Sequence, residues 1–211
     1  MSVNDGRGGG TSGMSRVGIQ GGTFDPPHMA HLILGEIAAD WLNADHYLFV
    51  PAADPPHKRG QVKAAADHRV AMVQRAIADN PRFALSRVDV DRPGPHYSVD
   101  MLRLIGQQYP GAELYFVIGG DSFAALPTWY RPDELIRLCR LLVMHRPGDG
   151  VQADMHAAVL PDLMGRVTVV DAPLLEVSSS AVVERVRAGQ SIRYWVPDAV
   201  REYIHQEKLY R

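Results

Sequence analysis

Cysteine is almost absent: Cys139 is the only one in a chain of 211 residues. That excludes an internal disulfide framework and any cysteine-based zinc site. Long apolar runs are missing too, since no stretch of the sequence approaches the roughly 18 residues needed to span a bilayer. Nor is there an excess of charge. Lys plus Arg is 22 and Asp plus Glu is 24, for a formal net charge of −2. A broad basic surface for duplex nucleic acid is therefore not expected. Disorder is not expected either, with 46% hydrophobic and 22% charged residues.

Glycine is unevenly spread. Gly6, Gly8, Gly9, Gly10 and Gly13 crowd the start of the chain among Ser, Thr and Asn. Residues 1–15 read as a flexible, dispensable tail with nothing apolar to bury, and Met14 is a candidate alternative start. The tail lacks the apolar core of a signal peptide, so the cytoplasm is the expected compartment. Residues 16–211 are expected to form a single domain.

Six short apolar runs punctuate that domain, at 17–19, 47–50, 83–85, 114–118, 141–144 and 167–170. They are continuously apolar rather than alternating, as buried strands are. Helical spacing lies between them. Val70, Val73 and Ile77 recur in 67–79, and Met101, Leu104 and Ile105 in 98–109 behind Asp100, while Pro132 suits the first position of a helix through Leu138. Strand and helix in alternation predict an α/β fold: a Rossmann-like parallel sheet with helices on both faces and a small C-terminal helical part. In such sheets ligands sit beyond the carboxyl ends of the strands, so the residues after each run matter most.

After the first run comes Gly21-Gly22-Thr23-Phe24-Asp25-Pro26-Pro27-His28-Met29-Ala30-His31. Two glycines at a strand end allow a tight turn and close approach by a ligand. A helix beginning near Pro27 or His28 would present N–H groups and its positive dipole end to phosphate. His28 and His31, three apart, would share a helix face. A zinc pair is the competing reading, but no Glu lies between them and no Cys or carboxylate partner stands nearby; ordinary surface histidines are another.

This string closely resembles the first signature of the nucleotidylyltransferase superfamily, Gly-Gly-Thr-Phe-Asp-Pro followed by His-x-Gly-His. Within that superfamily it looks like the bacterial nicotinate-nucleotide adenylyltransferases. Further similar segments are Pro55-Pro56-His57-Lys58, Tyr97-Ser98-Val99-Asp100, Gly119-Gly120-Asp121-Ser122, Leu126 to Tyr130, Val177 to Ser180 and Arg193 to Asp198. The resemblance implies transfer of AMP from ATP to nicotinate mononucleotide with release of pyrophosphate. It implies catalytic roles for His28, His31 and Lys58, with His31 stabilising the transition state and His28 orienting the triphosphate. ATP would be held by Gly21, Gly22, Thr23, Phe24, Gly119, Asp121, Ser178, Ser179 and Ser180, and the acceptor by Asp25, Tyr97, Ser98, Trp129 and Tyr130. Mg²⁺ would travel mainly on the ATP phosphates. The expected partners are these small molecules, with no nucleic acid and no membrane, and self-association is left open.

Several of these residues also have plain structural explanations. Ser98 makes a good helix cap, as does Asp121, and a capping role also suits the Ser178 to Ser180 run. Trp129 suits a core anchor, and a Lys58-Arg59 pair is commonly just solvated.

Two positions depart from the family pattern. Ala30 replaces the Gly of His-x-Gly-His, and Val183 stands where a phosphate-binding Arg is expected. Arg185, two residues on, points to a different face, while Arg187, one turn beyond position 183, shares that face and is the candidate replacement; both are counted among the ATP-binding residues. The rival readings are an adenylyltransferase for nicotinamide mononucleotide or phosphopantetheine, and a non-catalytic nucleotide sensor on the same fold.

Overall fold

The computed structural model describes residues 14–54, 62–145 and 150–211. Lys58 and all but the last two residues of the expected tail lie outside the described residues.

All six apolar runs are strands: β1 (Arg16–Gly22), β2 (His46–Pro51), β3 (Phe83–Leu85), β4 (Glu113–Gly119), β5 (Arg140–His145) and β6 (Val167–Asp171). They pair in parallel in the order β3-β2-β1-β4-β5-β6. The helices are α1 (Met29–Leu42), α2 (Ala66–Ala76), α3 (Ser98–Gln108), α4 (Gly120–Ala124), α5 (Pro132–Leu138), α6 (Ser179–Arg187) and α7 (Asp198–Gln206). The sheet order reverses between β1 and β4, and that switch point is where such folds bind ligands.

Alternation along each strand divides the core in two. Tyr47, Phe49, Leu142 and Met144 face one side with buried residues of α1, α2, α6 and α7. Leu48, Val50, Leu141 and Val143 face the other with α3, α4 and α5. Both faces are dry along the inner strands β1, β2, β4 and β5, which is why these read as unbroken apolar runs, while the edge strands β3 and β6 are only partly buried. The C-terminal helices thus belong to the α1 and α2 layer, and α7 packs directly on α2.

Small residues let α1 lie close to the sheet: Ala30, Gly35, Ala38 and Ala39 are all buried. A Cβ on Gly35 would sit 3.0 Å from Phe49 and 3.3 Å from the Gln20 amide oxygen. Gln20 stitches three elements together, accepting from the Tyr47 hydroxyl at 2.9 Å and donating to the His31 carbonyl at 3.2 Å. Burial pushes the Tyr47 phenol well above its ordinary value, so it stays a neutral donor.

The sheet yields two tests. A Cβ on Gly18 would fall 2.5 Å from the Tyr47 ring. Gly18→Ala is therefore expected to cost about 1–3 kcal/mol in urea unfolding, with the ring forced off its rotamer. Cys139 is buried, and burial pushes its thiol up to about 12. The native protein is expected to resist a thiol-specific chromogenic reagent at pH 8 and to react fully once denatured.

Candidate active site

The carboxyl ends of β1 and β4 open into a cleft of about 800 Å³. β1 ends in Gly21-Gly22. A Cβ on Gly22 would meet the Phe24 ring at 2.9 Å, and one on Gly21 the Phe116 ring at 3.3 Å. Phe24 turns the chain at φ 50° and is buried against Phe49 and edge-on to His31, with centroids 4.9 Å apart. Gly21, Gly22, Thr23, Phe24 and Asp25 all line the cleft.

His28 caps α1 from an extended conformation, and His31 lies in the first turn. Their rings stack at 3.7 Å. The His28 backbone N–H donates to His31 Nδ1 at 3.1 Å. A backbone amide can only donate, so that nitrogen carries no proton and the His31 proton sits on Nε2. His31 lines the cleft; His28 is buried and does not. The N-terminus of α1 is also less open than the sequence suggested, because the Met29 N–H donates to the Trp195 carbonyl at 2.9 Å. The Ala30 methyl is buried, so the departure from glycine costs no space at the surface.

Beneath the turn lie two buried charges. The Asp25 carboxylate accepts from the N–H groups of Lys63 at 2.6 Å and Ala64 at 3.2 Å, and from the Tyr210 hydroxyl at 2.7 Å. The Arg69 guanidinium, 1% exposed, donates to the carbonyls of Thr23, Ala52, Ala53 and Ala64. Burial lowers the Arg69 pKa, and Asp25 is the foremost charge opposing that shift. Asp25 was expected to hold the acceptor. Its oxygens are instead occupied in joining the Gly-Gly turn to residues 63–64 and to the C-terminus.

On the β4 side, Gly119, Asp121, Ser98, Tyr97 and Trp129 line the cleft. A Cβ on Gly119 would meet nothing within 4 Å, so its lack of a side chain leaves space above the strand end. Ser98 is the first residue of α3 rather than its cap, a position held by Tyr97. Trp129 meets Phe116 edge-on at 6.2 Å. Tyr130 does not line the cleft; it stacks on Tyr97 at 4.1 Å, with the Arg131 guanidinium over its ring at 5.1 Å. It supports the ring that lines the wall.

The remaining wall is the start of α6. Ser178 caps the helix, its hydroxyl accepting from the Ala181 N–H at 3.2 Å, and it does not line the cleft. Ser179 and Ser180 do, with the Ser179 hydroxyl donating to the Pro26 carbonyl at 2.8 Å. Val183 is a buried part of the same wall. Neither arginine replaces it there. Arg185 lies over the Trp195 ring at 4.8 Å and donates to the Ser191 carbonyl, and Arg187, a turn beyond Val183, is exposed.

Four residues of this region escaped the sequence reading. Lys63 lines the rim. Asp89, buried and lining the cleft, accepts from Arg92 at 2.6 Å and from the Ala53 N–H at 3.2 Å, and His96 stands 3.6 Å from it. Arg69 left a usable signal, since it shares the buried face of α2 with Val73 and Ala76, where a charge demands partners. The others follow no spacing rule, because loop positions carry none.

Residues 19–185 match the cytidylyltransferase-like family. A protein named probable nicotinate-nucleotide adenylyltransferase from Thermomicrobium roseum is 46% identical over 198 residues, 94% of this chain and 92% of that protein. One of the same name from Synechococcus sp. is 44% identical over 195 residues, 92% of this chain and 94% of that protein. Among solved structures, Plasmodium falciparum nicotinic acid mononucleotide adenylyltransferase complexed with NaAD superposes with a TM-score of 0.75 at 17% identity, over 93% of this chain and 97% of that one. At that identity the likeness establishes the fold.

The Arg69 cluster sets a stability test. Arg69→Met would strip donors from four carbonyls, that of Ala64 buried and those of Thr23, Ala52 and Ala53 partly buried. It is expected to cost about 3 kcal/mol or more in denaturant unfolding, against less than about 1 kcal/mol for Arg82→Met at a surface ion pair.

Proposed function

The chain belongs to the cytidylyltransferase-like family, and from that premise we propose that it joins ATP to nicotinate mononucleotide, giving nicotinate adenine dinucleotide and pyrophosphate for NAD biosynthesis. The observation that carries this reading is the switch-point cleft, which gathers the Gly21-Gly22 turn, His31, Asp121, the start of α6 and an aromatic wall around one cavity.

The reaction asks little covalent chemistry of the protein. A phosphate monoester has a second pKa of about 6, so the attacking oxygen is already ionised at neutral pH and no general base is required. The bond to the α-phosphorus forms as the bond to pyrophosphate breaks. Catalysis then rests on aligning the two anions and on stabilising the charge that develops.

His31 suits that second task. With Nδ1 engaged by the His28 amide, its Nε2–H is the donor the ring offers to a phosphoryl oxygen. His28 acts through its ring, stacked against His31, rather than by touching the triphosphate. The N-terminus of α6, with Ser179 and Ser180, offers hydroxyl and amide donors with the dipole favouring anions. Asp121 suits ribose hydroxyls or an amine, and Trp129 and Tyr97 form the wall for a pyridine ring.

Mg²⁺ is expected to arrive on the ATP phosphates. Asp89 and Asp121 line the cleft, and carboxylate oxygens are the hard donors such an ion takes. Bound there, the ion neutralises charge on the triphosphate. Among the described residues no helix is long and apolar enough to cross a membrane. The cytoplasm, where ATP is abundant, remains the compartment we propose.

Pyrophosphate release measured with ATP, Mg²⁺ and each of nicotinate mononucleotide, nicotinamide mononucleotide and phosphopantetheine is the direct test. The nicotinate compound is expected to give the highest kcat/KM; no turnover with any acceptor would overturn the enzyme reading in favour of a sensor. His31→Ala is expected to lose at least about tenfold in kcat, roughly 1.4 kcal/mol, and a smaller loss would remove His31 from the transition-state role.

A further inference from the structure

The cleft has an electrostatic problem if its ligands are polyphosphates. Its described lining contains the carboxylates of Asp25, Asp89 and Asp121 and just one Lys or Arg, Lys63. Asp89 is offset by Arg92, and Asp25 is saturated by hydrogen bonds with Arg69 nearby. Arg185 and Arg187 point elsewhere, as described above.

The backbone at Lys63 is held unusually well for an exposed residue. Its N–H donates to Asp25 Oδ2 at 2.6 Å, and the next N–H, of Ala64, reaches both carboxylate oxygens at 3.2 and 3.4 Å. The Ala64 carbonyl accepts from Arg69 Nε at 3.2 Å, and Ala64 itself is buried. The Asp25 carboxylate that organises this is in turn fixed by the Tyr210 hydroxyl, one residue from the end of the chain, at 2.7 Å. Tyr210 is buried, and burial together with Asp25 pushes its phenol far up, so it remains a donor at all working pH values.

We propose that Lys63 is a polyphosphate-binding residue of this cleft and that Tyr210, acting through Asp25, is the positioning residue that sets it on the rim. The anchored backbone limits where the ammonium can go, so less freedom is lost when it meets a phosphate. The proposal rests on the adenylyltransferase reading only for the identity of the ligand; the chemistry it names is that of a linear polyphosphate.

The test measures binding of inorganic tripolyphosphate by calorimetry, and kcat and KM for ATP, in wild-type protein, Lys63→Ala, Lys63→Arg, Tyr210→Phe and the Lys63→Ala/Tyr210→Phe double variant. Lys63→Ala is expected to weaken tripolyphosphate about tenfold, and Lys63→Arg to stay within about threefold of wild type. Tyr210→Phe is expected to weaken it about threefold or more when Lys63 is present and by less than about 1.5-fold when it is absent. A merely structural tyrosine would cost the same in both backgrounds, and that result would overturn its positioning role. An unchanged affinity in Lys63→Ala, or no tripolyphosphate binding by the wild-type protein, would overturn the site. If thermal melting shows that Tyr210→Phe does not fold, Asp25→Asn probes the same hydrogen bonds under the same two criteria. Wild-type protein that binds tripolyphosphate through Lys63 but releases no pyrophosphate would count against the adenylyltransferase reading and leave this site standing.

Discussion

Two buried charges, the carboxylate of Asp25 and the guanidinium of Arg69, hold the active region together. They divide the work by polarity. Arg69 supplies hydrogens to carbonyls at the ends of β1 and β2 and at residue 64, while Asp25 takes hydrogens from residues 63 and 64 and from Tyr210. Loops beyond strand ends have no ladder to satisfy their backbone groups, and buried ones are costly unless paired. These side chains take the place of that ladder. Without them the Gly-Gly turn would lack a fixed relation to the segment that enters α2.

That division explains why parts of the site were legible in the sequence and others were not. The inner strands were plain because both faces of the sheet are dry there, which turns each into an unbroken apolar run, and the partly buried edge strands β3 and β6 are apolar enough to read the same way. Helices α2 and α3 announced themselves by spacing, and α5 by Pro132 at its first position. The Gly21 to His31 string stood out because it resembles a known signature and because a Gly-Gly pair at a strand end followed by two histidines three apart marks a strand-to-helix junction. The division of labour within that string was hidden. Asp25 and His31 are six residues apart, yet one faces inward to build the floor while the other faces the cavity. Such a split depends on where Lys63, Tyr210 and Phe24 arrive in space. The arginines of α6 show the reverse error: helical spacing placed Arg187 on the face of Val183, but a further turn carries it away from the helix start and into solvent.

The histidine pair has a corresponding logic. Stacking His28 on His31, with the amide of the first engaged by Nδ1 of the second, fixes both ring orientation and tautomer before any ligand arrives. A preset donor needs no reorganisation when charge develops, which is where such a site gains most of its effect. The serines at the start of α6 work similarly, since one is consumed in capping so that its two neighbours can face the cavity.

The bond between Tyr210 and Asp25 joins positions 185 residues apart. Synthesis on the ribosome delivers Asp25 long before Tyr210, and the strands between them can pair in the meantime. The floor of the cleft therefore stays open until Tyr210 arrives, and the nascent chain acquires all its strands before it acquires a finished floor. A chain that stops short of Tyr210 would contain all six strands of the sheet and leave the buried Asp25 carboxylate lacking one of its donors.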